Sequence, residues 1–371
     1  MFKLQNEEVN TGRQRELDLV KGFLMIMIVF IHSFQTLANQ TAIESSVYKI
    51  LFAGFMPTGA CLFLFCMGFG SVFTKRNQPG DLVKSGIKLL WYQVLSNLSY
   101  SLCLIIFFQL RNVIFGEVEG TIELYQESVY SAITFVNIFF ISGACYLVLA
   151  LYKAIHMPLM GYIISAIVVG MISPYMGTIC SENEAVNWIL DMSFGGKGET
   201  SFCFFPYLSY VFMGYVFAKV IRKISERDKA EFYKKSGLIS AVIAAIWMGF
   251  VIWKHPDLDE FFTYMLFQYR IPGIAKVIGT CCSILLCFAI AYGVAPFFEK
   301  WKFGYRKLME YSKHISKLYA VHIGIFFSIQ AFLSFAGVGT AACLGWAVLV
   351  LVLNDLVVQG YVAIEKRIVR K

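Results

Sequence analysis

Charged side chains make up only 15% of these 371 residues, against about a quarter in an ordinary soluble domain. That shortage excludes a water-soluble globular fold. Low-complexity tracts, an internal repeat and any polar stretch long enough for a separate domain are missing too. The chain therefore reads as one membrane domain over 1–371, with a short leader (1–18) and tail (363–371). No Walker or Rossmann glycine pattern is present, which leaves a nucleotide-fuelled mechanism without support. The ten cysteines include no pair with zinc-ligand spacing beside a histidine. Most of them, Cys61, Cys66, Cys103, Cys145, Cys281, Cys282 and Cys287, lie inside apolar runs and read as small core residues. No metal and no bound cofactor is expected. The first apolar run, from about Leu19, follows the charged Glu16 and Asp18 and lacks the small-residue cleavage site of a removable signal, so it reads as a retained helix.

What is abundant is apolar length. Hydrophobic residues make up 58% of the chain, in runs near twenty residues that recur from end to end, each able to cross roughly 30 Å of hydrocarbon as a helix. The runs are continuous rather than alternating, which favours helices that satisfy their own backbone in lipid over a barrel. The spans fall at about 19–38, 50–73, 89–109, 134–154, 158–176, 202–220, 237–253, 271–293, 315–335 and 341–362. The expected fold is all-α: a polytopic bundle of about ten transmembrane helices with both termini cytoplasmic, a multi-pass protein of the cell membrane. With that topology, the clusters Lys75/Arg76/Lys84/Lys88, Lys219 to Lys235, Lys300 to Lys317 and Lys366 to Lys371 all face the cytoplasm, as the positive-inside rule requires. The net charge of +8 is then a topology signal rather than a sign of nucleic acid. The 111–130 and 177–200 loops on the other face carry Glu117, Glu119, Glu123, Glu127, Glu182, Glu184, Asp191 and Glu199, with Gly195 and Gly196 as a turn or a bend around an acceptor.

Ionisable groups inside a membrane are costly and rare, which makes them the first functional candidates. His32 lies deep in the first apolar helix, eleven residues after Lys21. At 100° and 1.5 Å per residue, the two differ by about 20° in azimuth and about 16 Å in height. Asp18 lies about 40° from the same direction, so one stripe carries a carboxylate, an amine and an imidazole. Such a stripe can line a polar cavity in which Lys21 meets an anionic group and His32 acts on a hydroxyl proton. The alternative is that His32 bonds a neighbouring helix while Lys21 snorkels to the interface. Gln93, Asn97 and Ser101, at i, i+4 and i+8, read as interhelical glue, as does Asn137. Asp355, in the last helix beside Asn354, must find a partner or be protonated and ranks second. The Lys75, Arg76, Lys84 and Lys88 cluster can hold phosphates or simply anchor to anionic lipid.

The string Glu16-Leu17-Asp18-Leu19-Val20-Lys21-Gly22, with His32 eleven residues after the base, resembles the first-helix signature of the acyltransferase-3 family of membrane O-acyltransferases. Met56-Pro57 followed by Phe63-Leu64-Phe65-Cys66-Met67-Gly68-Phe69 looks like that family's second helix. The run Lys313 to His322, in which Tyr319 precedes His322 by three, is similar to its late helix entry; at i and i+3 the two share a helix face. The chain departs in having Lys21 where many members have arginine, Met67 before the glycine, and Lys84 and Lys88 in place of arginines. Lysine lacks arginine's planar fork, which touches donor binding most. Heparan-glucosaminide acetyltransferase-like and fucose 4-O-acetylase-like proteins belong to the same broader group, and the leucine-aspartate-base-glycine opening and Gly59-Ala60-Cys61-Leu62-Phe63-Leu64-Phe65 also resemble the former.

The resemblance implies an acyltransferase moving an acyl group, in the first instance acetyl, from cytoplasmic acyl-CoA to a hydroxyl of a cell-surface or envelope carbohydrate. His32 and Asp18 would be catalytic, and Lys21, Lys75, Arg76, Lys84, Lys88, Tyr319 and His322 would bind donor or acceptor. Membrane lipid, acyl-CoA and the carbohydrate are the expected partners. Two other readings stand beside it: a transporter or flippase for a lipid-linked glycan, in which the in-membrane charges bind and release cargo, and a scaffold for an envelope assembly. No inverted repeat of the transporter kind is evident.

Overall fold

A computed structural model describes residues 4–117, 121–195, 202–257, 259–262, 264–265 and 273–369. Among these there is no β-strand, only the isolated bridges Leu4 to Ile224 and Ala38 to Val338. Fourteen helices follow in chain order: α1 (Arg15–Leu37), α2 (Gln40–Ile43), α3 (Ser46–Phe73), α4 (Pro79–Phe115), α5 (Thr121–Thr134), α6 (Ile138–Ala154), α7 (Leu159–Met176), α8 (Glu184–Phe194), α9 (Phe204–Arg222), α10 (Glu226–Lys254), α11 (Ile274–Lys300), α12 (Lys302–Lys313), α13 (Ile315–Phe332) and α14 (Thr340–Val369).

Nine helical stretches among the described residues are long and apolar enough to cross a membrane, one of them Thr121–Ala154, and α3 adds the shorter apolar run Thr58–Phe73. The all-α, polytopic architecture matches the expectation of about ten crossings. Helix ends lie beyond the apolar runs, because caps and ion pairs extend a helix past the hydrocarbon. Ser225 caps α10 by accepting from the Asp228 N–H, so that helix starts well before the apolar run at 237. The acidic loops are partly helical: Asn183 caps α8, and α5 occupies much of 111–130. Glu119, Gly196 and Glu199 lie outside the described residues, as do the side chains of Met56 and Pro57.

The chain divides into two compact units built from interleaved segments. Unit 1 comprises Met1–Val20, Met56–Gln93 and Val136–Tyr305. Within it α9 is buried along nearly its whole length, with α6, α7 and α8 packed on it, while α10 lies along α11. The backbones of α3 and α9 approach so closely that a Cβ on Gly68 would strike the Val211 carbonyl, and one on Gly214 the Phe65 carbonyl. Small residues permit such crossings, which gain dispersion contact where lipid offers no hydrophobic drive. Phe65, Phe69, Phe217 and Phe288 fill the space beside this crossing, with ring centroids 5.2–5.8 Å apart.

The leader's charges are engaged within the same unit. Glu16, 1% exposed, accepts from the Tyr233 hydroxyl at 2.9 Å and pairs with Lys229 at 3.1 Å. Lys229 also donates to Gln14 at 2.9 Å, and Arg15 meets Glu299 at 2.8 Å.

Unit 2 comprises Lys21–Phe55, Val94–Phe135 and Arg306–Lys371. Here α13 packs along α14, and the Ser33 hydroxyl of α1 donates to the Cys343 carbonyl of α14 at 2.6 Å. Gly22 lets α1 rest on α12: an added Cβ would lie 2.6 Å from the Leu308 carbonyl oxygen. Asn97 donates to the carbonyls of Ile133 and Phe135, both at 2.8 Å, and closes the end of α5. That is the interhelical role its stripe suggested.

Candidate functional site

Two helices of unit 2 build the site. α1 is apolar around His32, and α13 presents Tyr319 and His322 on one face because three residues make nearly a full turn. The Nδ1 of His32 lies 2.8 Å from the Nε2 of His322. The rings are 12° from parallel, with centroids 5.0 Å apart. Tyr319 stands edge-on to both, at 6.1 Å from His32 and 5.2 Å from His322, and Phe326 closes the far side of His322 at 6.1 Å.

A chain of hydrogen bonds fixes how the protons are arranged. The Nδ1 of His322 lies 3.1 Å from the Leu318 carbonyl oxygen, and a carbonyl can only accept, so that nitrogen carries the proton. In neutral His322 the Nε2 is then bare and accepts. The His32 Nδ1 must therefore be the donor of the 2.8 Å contact, which leaves the Nε2 of His32 with its lone pair free to take a proton. His322 is fully buried, while His32 keeps part of its surface accessible. The arrangement is a base oriented by a second ring, the logic by which a third group orients a catalytic histidine.

Of the other sequence candidates, Lys21 lies half-buried on α1 in unit 2. Asp18 belongs to unit 1, where the Arg13 guanidinium holds its carboxylate at 2.5 Å. Lys75, Arg76, Lys84 and Lys88 are exposed on unit 1, with Lys88 over the Tyr92 ring at 5.3 Å. Asp355 has found its partners in unit 2: Lys307 at 2.9 Å and Gln359 at 3.1 Å.

Sequence reasoning missed a basic cavity of about 570 Å³ in unit 1, lined by Glu8, Lys153, His156, Tyr162, Tyr215 and Lys219 among others. Lys153 donates to the Asn77 carbonyl, next to Lys75 and Arg76 in sequence. Tyr162 and Tyr215 stack at 4.6 Å. His156 stands at φ +52°, a left-handed conformation held at the end of α6. Glu8 works against its own partial burial: ion pairs with Lys219 and Arg222, both at 2.9 Å, hold its carboxyl below the ordinary range. Lys219 and Lys223, spaced i and i+4, were the available signal, read from the sequence only as topology.

Residues 13–253 match the family model described as heparan-alpha-glucosaminide N-acetyltransferase, catalytic. The chain belongs to this family. It is therefore a multi-pass membrane protein of an acetyltransferase family, one of those its opening helix resembles. The match includes His32 and ends before Tyr319 and His322, so the histidine pair is visible only in three dimensions. No curated protein and no solved structure matches the chain.

Proposed function

We propose that this protein moves an acetyl group from acyl-CoA to a nucleophilic hydroxyl or amine of a carbohydrate of the cell surface or envelope, with His32 as general base. The observation that carries the reading is the bond from His32 to His322, which leaves the Nε2 of a partly accessible His32 as an acceptor. In the transfer, Nε2 takes the acceptor's proton as the new O–C or N–C bond forms and the thioester C–S bond breaks; the proton then passes to the departing thiolate. Positive charge developing on His32 is stabilised by His322, which accepts from Nδ1. Base catalysis of this kind contributes roughly 10²- to 10⁴-fold. Tyr319 walls the site edge-on.

The basic cavity of unit 1, at Lys153, His156 and Lys219 and bordered by the Lys75 and Arg76 segment, suits a phosphate, for which charge-assisted hydrogen bonds are strong. Lys84 and Lys88 are further exposed bases of unit 1, and in unit 2 Lys21 takes an anionic group of the donor. With both termini cytoplasmic, the donor enters from the cytoplasm of the cell membrane. The test is purified protein in lipid nanodiscs with acetyl-CoA, offered glucosamine-type amines and neutral sugars in parallel. Acceptor-dependent release of free thiol supports the reading, and the product identifies amine or hydroxyl. Absence of release with every acceptor, from folded protein, would overturn it.

A further inference from the structure

We propose that unit 1 carries a second, buried ligand site, for a small inorganic anion, built on Lys276. This lysine is 2% exposed and lies in the first turn of α11, after the N-cap Gly273, which supplies no side-chain cap. A cation there meets the positive end of the helix dipole. Its electrostatic neighbours are the thiols of Cys61 and Cys203, and Cys203 is the residue from which α9 starts. Two helix N-termini thus lie beside one buried ammonium, a setting that favours negative charge.

The polar groups around it are two hydroxyls, each able to turn a proton toward a ligand. Thr280 follows Lys276 by four residues on the same face of α11. Tyr210, two turns beyond Cys203 on α9, puts its hydroxyl beside the Cys61 thiol and the Thr280 hydroxyl. All three residues are at most 2% exposed, and among the described residues the Lys276 Nζ, Tyr210 Oη and Thr280 Oγ1 find no hydrogen-bond partner. The neighbouring thiols and hydroxyls are neutral and cannot balance an ammonium. The buried carboxylate of Asp191 acts on Cys203 and is not among the charges that act on Lys276. One orphaned buried group calls for an explanation; a buried ammonium without a counter-charge, beside two hydroxyls that can turn their protons toward a ligand, describes the lining of an anion site. The site is independent of the acetyl transfer proposed above.

The experiment is thermal unfolding of the full-length protein in nanodiscs, with chloride or bromide replacing gluconate at constant ionic strength. A ligand that binds only the folded state raises the midpoint saturably. The wild type is expected to show that rise with both halides, and Lys276→Met to lose it. Should Lys276→Met not fold, Tyr210→Phe and Thr280→Val each remove one donor and are expected to raise the half-saturating halide concentration about tenfold. A wild type indifferent to halide, or variants that keep its full response, would overturn the proposal.

Discussion

In the proposed mechanism His322 is a positioning residue: it holds the His32 ring in one tautomer and does not itself need to touch substrate. Replacing it with leucine removes the acceptor for the His32 Nδ1–H and frees the ring to turn. The expected result for His322→Leu is a fall in kcat of about 100-fold with KM little changed. His322→Asn, whose side-chain oxygen can still accept, is expected to recover part of that loss, and equal activity in the two variants would reduce His322 to a packing residue. His32, Tyr319 and His322 were legible as single residues, because a histidine inside an apolar helix stands out whatever its fold. Their contact was not legible: His32 and His322 are 290 positions apart, and helical arithmetic places a side chain on its own helix but says nothing about its neighbour. Lys276 went unread for a related reason. At the edge of a long apolar run it looks like an interfacial anchor, and only burial exposes its lack of a partner.

Elements in this protein are tied by charges that the sequence offers only as flanks. The pair Lys229–Glu16 joins α10 to the start of α1 with both side chains at most 4% exposed. Removing one partner leaves a buried charge, at a cost of about 3–5 kcal/mol. Lys229→Met is expected to lower the unfolding midpoint markedly, and Lys229→Met with Glu16→Gln to recover much of it; an unaffected single variant would show the pair to be solvated. Gly22 sets the approach of α1 to α12. Gly22→Ala forces its Cβ into the Leu308 carbonyl, which is backbone and cannot turn aside, so a loss of about 1–3 kcal/mol is expected in the same assay.

At the N-terminal segment, Glu8 has a carboxyl lowered below its ordinary 4.5, so the folded chain holds its proton less tightly than the unfolded chain. Its ion pairs therefore contribute stability above about pH 4.5, and that contribution disappears as pH falls through the lowered value. Proteolysis of the segment should accelerate over that acid range in the wild type, while Glu8→Gln should be cleaved readily already at neutral pH. Equal rates for the two at neutral pH would remove Glu8 from the account. The caps that lengthen α8 and α10 were readable from Asn183 and Ser225, whereas the partners of Glu8 and Glu16 depend on how distant helices meet.

For the molecule as a whole, hydropathy carried the fold. The scarcity of charge and the recurrence of apolar runs gave an all-α membrane protein, and the runs correspond to the helices described here. The faces that should meet lipid do stay apolar and open, as along α10 at Leu238, Ile239, Val242, Ile246, Phe250 and Trp253. Hydropathy could not divide the chain into its two units, because each is assembled from three segments interleaved with those of the other. The family match anchors the opening helix with His32 and leaves the base's partner to the structure.

The central claim is that His32 Nε2 removes the acceptor's proton, and acetyl transfer under single-turnover conditions tests it most directly. Protein in nanodiscs is loaded with acetyl-CoA, an acceptor is added, and thiol release is followed for the wild type and His32→Ala, each first shown to be folded and to bind donor equally. The account predicts that His32→Ala binds donor normally and transfers at least about 100-fold more slowly. Transfer at the wild-type rate in His32→Ala would contradict it.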